Sequence, residues 1–417
     1  MRLHPAPSKL LKVGKKRRPH SDRLPGANAL VDVLEDTQGF ALIKDEWEDL
    51  YRCSADVTPF QSWAWLYSWW ELYGEGYELR LITMRNDEGL LIGIIPLMLE
   101  RRRGFGRLLF VGTGPTDYLD ALVKDGWEEV VFEAGARALE RIGSWSVADL
   151  QQLRPNATAW GFFRRWEGPG SYVRQDGCPV VEAKSWDELL VSRSTTLRST
   201  ARRSVRRAEA DGVYRRIVSV ADAEQAARRL VALHRESWQG RHIEPEHLTQ
   251  RFESLIVAAA RRMTAHGSGG ISEFWRDGEV IISHFILFGR DHVETHTMGA
   301  SQKALQRYQW SSLYIWDAVE VAGSRNKGYV DLLRGEEPYK LRWSSEIIPT
   351  HRLLLGRRRA VWAPYAGYHA LRSKARWYAK SEDAPQWVKS ARARYRKVRY
   401  KVAHYVSNKR GKADDHP

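Results

Sequence analysis

Cysteine and long apolar runs are scarce in this sequence. Its two cysteines, Cys53 and Cys178, cannot form a disulfide framework, and neither has a second cysteine at a metal-binding spacing. This scarcity favours a reducing compartment. No run of about 18 uncharged apolar residues occurs, which argues against a membrane-spanning helix. The N-terminal segment is basic and interrupted by prolines, unlike a secretory signal peptide, so we expect a cytoplasmic protein.

The net charge of +15 is concentrated at the two ends of the chain. Residues 1–25 hold eight Lys and Arg against one acid, and residues 357–417 hold seventeen against four. The intervening residues, 26–356, carry a net charge of −5. We therefore expect an anionic partner to bind the ends rather than the folded body, and we do not expect DNA as a partner.

Strand and helix patterns alternate along the chain in two similar halves. In the first half, a tryptophan-rich helix that begins at Pro59 precedes two apolar strands joined through residues 86–89 (NDEG), a hairpin signal. In the second half, three helices precede strands whose turns fall at residues 277–278 and 289–291. The length and the alternation predict two α/β domains, each of which repeats the same order of elements.

Four segments follow from these patterns and from the charge distribution. We predict a basic disordered arm, an N-terminal domain, a C-terminal domain and a basic amphipathic helical tail. Their predicted ranges are residues 1–30, 40–188, 189–356 and 357–417.

A crowded polar segment follows the last apolar strand of the second half. Asp331 lies in that strand, where an unpaired carboxylate would be costly to bury, so it should meet a cation. Arg334 and Lys340, in the same segment, are the candidate cations. We interpret the segment as a polar corner at the carboxyl end of a strand, where α/β sheets bind ligands. The alternative is that these charges only tie the strand to its neighbour.

The backbone of this segment is restricted by two residues. Gly335 permits a conformation that other residues rarely adopt, and Pro338 keeps Glu337 extended. The polar corner should therefore be rigid.

Residues 329–343 (YVDLLRGEEPYKLRW) resemble the Asp-x-x-Arg-Gly-Asp/Glu-Glu-Pro-Tyr-Lys box of a GNAT-type acyltransferase family. That family is typified by CelD-like proteins of bacterial cellulose and exopolysaccharide clusters, which are relatives of the FemAB aminoacyltransferases. The likeness covers residues 47–355. Further elements are similar to its first-domain helix, its hairpin, its Asp-Tyr-Leu-Asp element and its arginine-rich helix between the halves. These are residues 59–74, 90–113, 116–120 and 196–212.

The resemblance implies an α/β fold of tandem GNAT-like (FemAB-like) domains, each a mixed, mostly antiparallel sheet flanked by helices. It implies transfer of an acyl group from acyl-CoA or acetyl-CoA to an N or O acceptor of envelope or exopolysaccharide metabolism, without a metal. The acceptor would be a small molecule, a glycan or a lipid-linked glycan. One alternative donor is aminoacyl-tRNA. A second alternative is a non-catalytic, membrane-associated scaffold of an envelope biosynthesis complex.

The box residues receive roles from this resemblance. Asp331 and Arg334 are the expected charged pair that fixes the cleft, and Glu336, Tyr339 and Lys340 are the expected contacts to substrate or donor.

Acyl transfer by an attacking amine or hydroxyl needs a general base. His284, within the apolar strand VIISHFILF, is the first candidate for base or orienter, and the alternative is a satisfied core histidine. His292, Glu294 and His296 share one face of the next strand. Because no further ligand follows at a recognisable spacing, we interpret this set as a solvated or cleft face rather than a metal site, with His296 as a substrate contact.

The helix after these strands begins near Trp310. GNAT enzymes bind the coenzyme A pyrophosphate on a glycine-containing loop that opens such a helix, and those glycines are missing here. Ser311 and Ser312 can cap the helix and leave donors for an anion, whereas Trp310 can block close approach.

Two basic helices remain. Arg198, Arg202 and Arg206 form one row of the helix between the halves, which predicts either a solvated face or contact with a phosphate-bearing substrate. Within the tail, apolar residues recur at spacings of three and four from Val388 to Tyr405. We predict a helix on an anionic membrane surface, which would place the protein peripherally on the inner face of the cytoplasmic membrane. The alternatives are a docked or coiled-coil helix and an RNA-binding helix.

Overall fold

The computed structural model describes residues 22–23, 29–102, 104–183, 185–238, 244–380, 384–387 and 390. Most of the predicted basic arm and the helix predicted from Val388 to Tyr405 therefore lie outside the described residues. Within the described part of the chain, no helix is long and apolar enough to cross a membrane.

The described residues form two compact units. The first consists of the chain up to Asp176 together with Ile348–Ser373, and the second runs from Gly177 to Ile347 and resumes at Lys374. The sequence predicted two consecutive domains with a boundary between residues 188 and 189. In the structure the first boundary lies between Asp176 and Gly177, and Ile348–Ser373 belongs to the first unit.

The first unit is a mixed sheet with helices. Its strands follow the order β1-β2-β3-β4-β5-β7-β14-β8, and β6 pairs with β4. The strands are β1 (Asp22–Arg23), β2 (Leu30–Leu34), β3 (Glu78–Arg85), β4 (Leu91–Arg102), β5 (Phe105–Phe110), β6 (Leu122–Val123), β7 (Val147–Leu153), β8 (Gly170–Glu182) and β14 (Glu346–Gly356). The helices are α1 (Thr37–Leu42), α2 (Lys44–Arg52), α3 (Trp63–Tyr73), α4 (Glu128–Arg141), α5 (Ala159–Arg165) and α13 (Arg359–Tyr378). The strand pair β5–β7 is parallel, whereas the pairs β1–β2, β2–β3, β3–β4 and β4–β5 are antiparallel.

Local sequence accounts for the elements of this unit. The Asn86 carboxamide oxygen accepts a hydrogen bond from the Leu90 amide at 2.8 Å, and Gly89 has a φ of +80°, so the predicted hairpin between β3 and β4 is confirmed. The tryptophan-rich segment begins as a short 3-10 helix, Pro59–Gln61, before α3. Trp65 and Trp69 of α3 are fully buried and fill the core.

The second unit is also a mixed sheet with helices. Its strand order is β8-β13-β12-β11-β10-β9, with the C-terminal part of β8 at one end. The remaining strands are β9 (Tyr214–Ile217), β10 (Gly269–Arg276), β11 (Glu279–Phe288), β12 (His292–Ala300) and β13 (Tyr329–Asp331). The helices are α6 (Trp186–Val191), α7 (Thr195–Ala210), α8 (Ala223–Ser237), α9 (Gln250–Ala265), α10 (Gln302–Arg307), α11 (Trp310–Ser324) and α12 (Pro338–Trp343), and a 3-10 helix spans Pro245–Leu248.

Helices cover both faces of the second sheet. The helix α11 packs with α7 against β11, β12 and β13, and its Tyr314 and Ile315 belong to one buried cluster with Ile286, Val293 and Met298. The helices α8 and α9 pack against β10, β11 and β12 from the other side. Both units are thus mixed, mostly antiparallel sheets flanked by helices, and the predicted fold class is confirmed.

The strands β12 and β13 separate at their carboxyl ends. They pair in parallel only from His292 opposite Tyr329 to Glu294 opposite Asp331. Beyond this point β12 continues beside β11 as far as Ala300, and it contains a bulge opposite Phe285 of β11. The strand β13 ends at Asp331, where the chain turns away from β12. Parallel strands that separate in this way leave an opening at their carboxyl ends, where α/β folds place ligands.

Candidate functional site

The turn after β13 holds a strained backbone. Leu333 has a φ of +59°, which is uncommon for a residue with a large side chain. The Asp331 carboxylate accepts a hydrogen bond from the Leu333 amide at 2.7 Å. The buried ammonium of Lys340 donates to the carbonyl oxygens of Arg334 at 3.0 Å and Leu333 at 3.4 Å. Asp331 and Lys340 therefore hold the turn from both sides, and such strain often accompanies a functional site.

The rest of the polar box begins a helix that the sequence did not predict. Glu337 is extended, with φ −66° and ψ 143°, and Pro338 is the first residue of α12. Lys340 forms an ion pair of 3.2 Å with Glu337. Gly335 has a φ of +122°, a backbone conformation that favours glycine, and the Glu337 carboxylate lies next to it.

Glu336 is engaged within the protein. Its carboxylate forms an ion pair of 2.9 Å with Lys380 and lies 3.4 Å from the Gly177 amide. This geometry places Glu336 where it anchors the box to the start of the second unit.

A buried histidine, His292, interacts electrostatically with Asp331, a role that the sequence did not predict. His292 is buried, and its ring nitrogens lie 2.7 Å from the Asp291 carboxylate and 3.0 Å from that of Glu294. Burial lowers the pKa of His292, but these two carboxylates and the charge of Asp331 outweigh it and raise the pKa to about 9. The prediction of a solvated or cleft face is wrong for His292 and Glu294, because both are enclosed at the start of the parallel pair.

Side chains of β12, α11 and α12 contact one another beside the end of β13. The Thr295 hydroxyl donates to the Asp331 carbonyl at 3.3 Å, and the Tyr314 hydroxyl donates to Thr295. The rings of Trp310 and Tyr339 contact each other at a centroid distance of 5.1 Å. Burial raises the pKa of both tyrosines, so they remain neutral hydrogen-bond donors.

The N-terminus of α11 follows β12 and α10 along the chain. The N-cap residue is Gln309, whose side chain does not cap the helix, and Trp310 is the first helical residue. The prediction that Ser311 and Ser312 cap the helix is wrong, since both lie in its first turn and are buried. The Ser312 hydroxyl is fully buried and has no hydrogen-bond partner among the described residues.

His284 lies in the interior beneath α11. Its Nε2 is hydrogen-bonded to Asp317, whose other oxygen accepts from Arg215 at 2.6 Å, and the imidazole has no exposed surface. Burial raises the pKa of Asp317, but the His284 ring and the Arg215 guanidinium outweigh it and hold this pKa below its ordinary value. His284 therefore belongs to a buried polar chain that ties β11 to α11.

Two histidines that the sequence did not predict lie on the other face of the sheet. His234 of α8 and His247 of the 3-10 helix approach each other at 3.1 Å, between Nε2 of His234 and Nδ1 of His247. Burial lowers the pKa of His247 well below its ordinary value, and the charges of His234, His296 and Arg334 lower it further. The one sequence signal was Gly299, where a Cβ would lie 2.3 Å from the His234 amide nitrogen.

An arginine-rich face of α7 borders an open groove of about 540 Å³. Arg202 is paired with Asp187 at 2.9 Å, whereas Arg198, Arg203 and Arg206 form no hydrogen bond or ion pair with a described residue. The face carries concentrated positive charge without an exposed apolar side chain. Across the described part of the chain, no cluster of three or more His, Cys, Asp and Glu could hold a metal ion.

Comparison with known proteins agrees with this geometry. Residues 195–341 match the family model of an acetyltransferase (GNAT) domain, which contains the opening, α11 and most of the box. No curated protein matches the sequence. The match of residues 195–341 to this family model indicates that the chain is an acyltransferase.

Solved structures resemble this fold at low sequence identity. FemX has a TM-score of 0.53 and 10% identity over 74% of this chain and 95% of its own. A conserved protein of unknown function from Bacteroides thetaiotaomicron has a TM-score of 0.50 and 9% identity over 75% of this chain and 97% of its own. These likenesses show the fold, which is of the tandem GNAT-like, FemAB-like kind.

Proposed function

We propose that this acyltransferase moves an acyl group from acyl-CoA to an amine or hydroxyl acceptor of envelope or exopolysaccharide metabolism. The observation that carries the donor assignment is the start of α11. Its first turn is not capped by a side chain, and the Ser312 hydroxyl is buried without a described partner. A phosphate group suits such a helix start, because backbone N–H groups and the helix dipole favour an anion there.

The side chains around the opening receive roles from their contacts. Ser311 and Ser312 bind the donor phosphates, and Trp310 and Tyr339 form the wall beside them. His296 contacts the acceptor from the opposite side of β12. These groups bind and orient two substrates at the ends of β12 and β13.

The charged box residues have positioning roles. Lys340 and Asp331 keep the turn in its strained form, and Arg334, which is partly exposed on that turn, faces the acceptor. Glu336 anchors the box through Lys380. His284 is an orienter rather than a base, since its hydrogen bond to Asp317 fixes α11 beneath the donor site.

Aminoacyl-tRNA is the second candidate donor, and the arginine face of α7 favours it. Arg198, Arg203 and Arg206 lack described partners, and a polyphosphate backbone would neutralise them. If the donor is a charged tRNA, its binding should fall steeply as the salt concentration rises. Binding of acyl-CoA requires only the anion site at the start of α11.

The membrane surface is the proposed location of the acceptor. The helix α13 exposes Val361, Tyr368 and Leu371 on one stripe, and Arg372 borders this stripe. An apolar stripe with basic borders is typical of helices that lie on anionic lipid. The CelD-like box adds the expectation of a lipid-linked or glycan acceptor.

Thermal unfolding of the full chain with acetyl-CoA, charged tRNA or anionic liposomes tests these proposals. We expect acetyl-CoA to raise the Tm, and Ser312→Val to reduce that rise, while the exposed control Ser199→Val keeps it. Stabilisation by tRNA alone would favour the second donor. Liposome binding without either donor would favour a membrane-associated scaffold and contradict the enzymatic proposal.

A further inference from the structure

His234 and His247 form a hydrogen-bonded chain that begins on the backbone of β12. Nδ1 of His234 lies 2.6 Å from the Met298 carbonyl oxygen, and its Nε2 lies 3.1 Å from Nδ1 of His247. A carbonyl oxygen only accepts, so Nδ1 of His234 carries the proton and its Nε2 accepts from Nδ1–H of His247. The Nε2 of His247 is thereby left with a free lone pair, and no described residue hydrogen-bonds to it.

Packing fixes the orientation of both rings. The His247 ring stacks on Phe252, with a centroid distance of 4.3 Å and an angle of 18°. His234 is buried where α8 crosses Gly299, and the missing side chain of that glycine lets the helix backbone reach β12. The lone pair of His247 therefore has a defined direction rather than a rotating one.

Electrostatics keeps both rings neutral. Burial, and then the charges of His296 and Arg235, lower the pKa of His234 to about 4, despite its bond to Met298. Burial also lowers the pKa of His247 well below its ordinary value, as do His234, His296 and Arg334. At neutral pH His247 is thus an unprotonated acceptor, and the bond of its partner His234 to Met298 places the pair beside the carboxyl-terminal half of β12.

We propose that Nε2 of His247 accepts the proton from the attacking amine or hydroxyl, and that His234 positions its ring. This role rests on the proposed function. Attack forms a C–N or C–O bond to the thioester carbonyl carbon while the proton passes from the nucleophile to Nε2. The C–S bond then breaks, and the proton passes to the thiolate, which leaves as the free thiol. A weakly basic imidazole suits this sequence because it releases the proton again at once.

The test measures release of CoA from acetyl-CoA by the full chain, with glucosamine or water as acceptor. General base catalysis contributes about 10²-fold or more, so His247→Gln should lower kcat by about that factor with little change in KM for acetyl-CoA. His234→Gln should lower kcat by about tenfold. Free imidazole should restore part of the activity of His247→Ala but not of His234→Gln, because only the first variant leaves a vacancy for a base. The exposed His266→Gln is the matched control and should keep wild-type activity.

If the wild type releases CoA and folded His247→Gln has the same kcat, the proposed role of His247 is wrong and the proposed function is unaffected. If the wild type releases no CoA with either acceptor, kcat cannot report on His247, and the dyad is judged by imidazole ¹⁵N chemical shifts at pH 7. Nδ1–H tautomers in both rings, with a change at His247 in His234→Gln, support the dyad. A protonated His247 or an Nε2–H tautomer overturns it.

Discussion

The buried imidazolium of His292 should make the stability of the second unit depend on pH in the alkaline range. Its pKa is about 9 in the folded protein, against an ordinary value of 6.5. A proton that is held more tightly by the folded state stabilises it fully below about pH 6.5, and this contribution is lost as the pH rises through 9. Since one pKa unit corresponds to about 1.4 kcal/mol, the loss should be about 3 kcal/mol.

Urea unfolding measured through a buried thiol can isolate this effect. Cys178 is fully buried at the start of the second unit, two residues before the part of β8 that pairs with β13, and Cys53 is exposed and can be replaced by serine. Pulse labelling of Cys178 then reports loss of structure around the part of β8 that belongs to the second unit, which matters because a chain of two units need not unfold in one step.

We expect the free energy of unfolding to fall by about 3 kcal/mol between pH 6 and pH 10 in the Cys53→Ser parent. His292→Gln should remove most of this fall, and it should also be less stable at pH 6, because Asp291 and Glu294 lose their cation. The exposed His266→Gln should behave like the parent. The same fall with pH in His292→Gln as in the parent would refute the reasoning.

Two further variants test the geometry of the site. Lys340→Met removes the donor to the carbonyls of Leu333 and Arg334, so the urea midpoint should fall by an amount equivalent to about 3 kcal/mol, and unchanged stability would show that the turn does not need this cation. Gly299→Ala places a Cβ 2.3 Å from the backbone of α8, so thermal unfolding should show a loss of about 2 kcal/mol, whereas an unchanged Tm would contradict the close packing.

The parts of the fold that depend on local sequence were predictable. The hairpin at residues 86–89 and the end of α7 at Asp211 and Gly212 follow from turn chemistry within a few residues, and both are present. Pro338 and Gly335 likewise restrict their own backbone, so the rigid corner was visible in the sequence.

Features that depend on distant contacts were not predictable. His234 reaches the Met298 carbonyl because α8 crosses β12 at Gly299, a contact between distant segments that no local pattern encodes. The pattern of β12 placed His292 and Glu294 on an open face, but both side chains are buried where β12 pairs with β13. The start of α11 was misjudged because serine favours capping positions, while tertiary packing buried both serines one turn inside.

The return of Ile348–Ser373 to the first unit has a consequence for synthesis on the ribosome. The first sheet receives β14 only after the whole of residues 177–347 has been made. The second unit can therefore complete its own strands while the first still lacks one, which reverses the usual N-terminal-first order of folding. Until β14 arrives, β7 and the first part of β8 are left with unpaired edges that a chaperone or another nascent chain could bind.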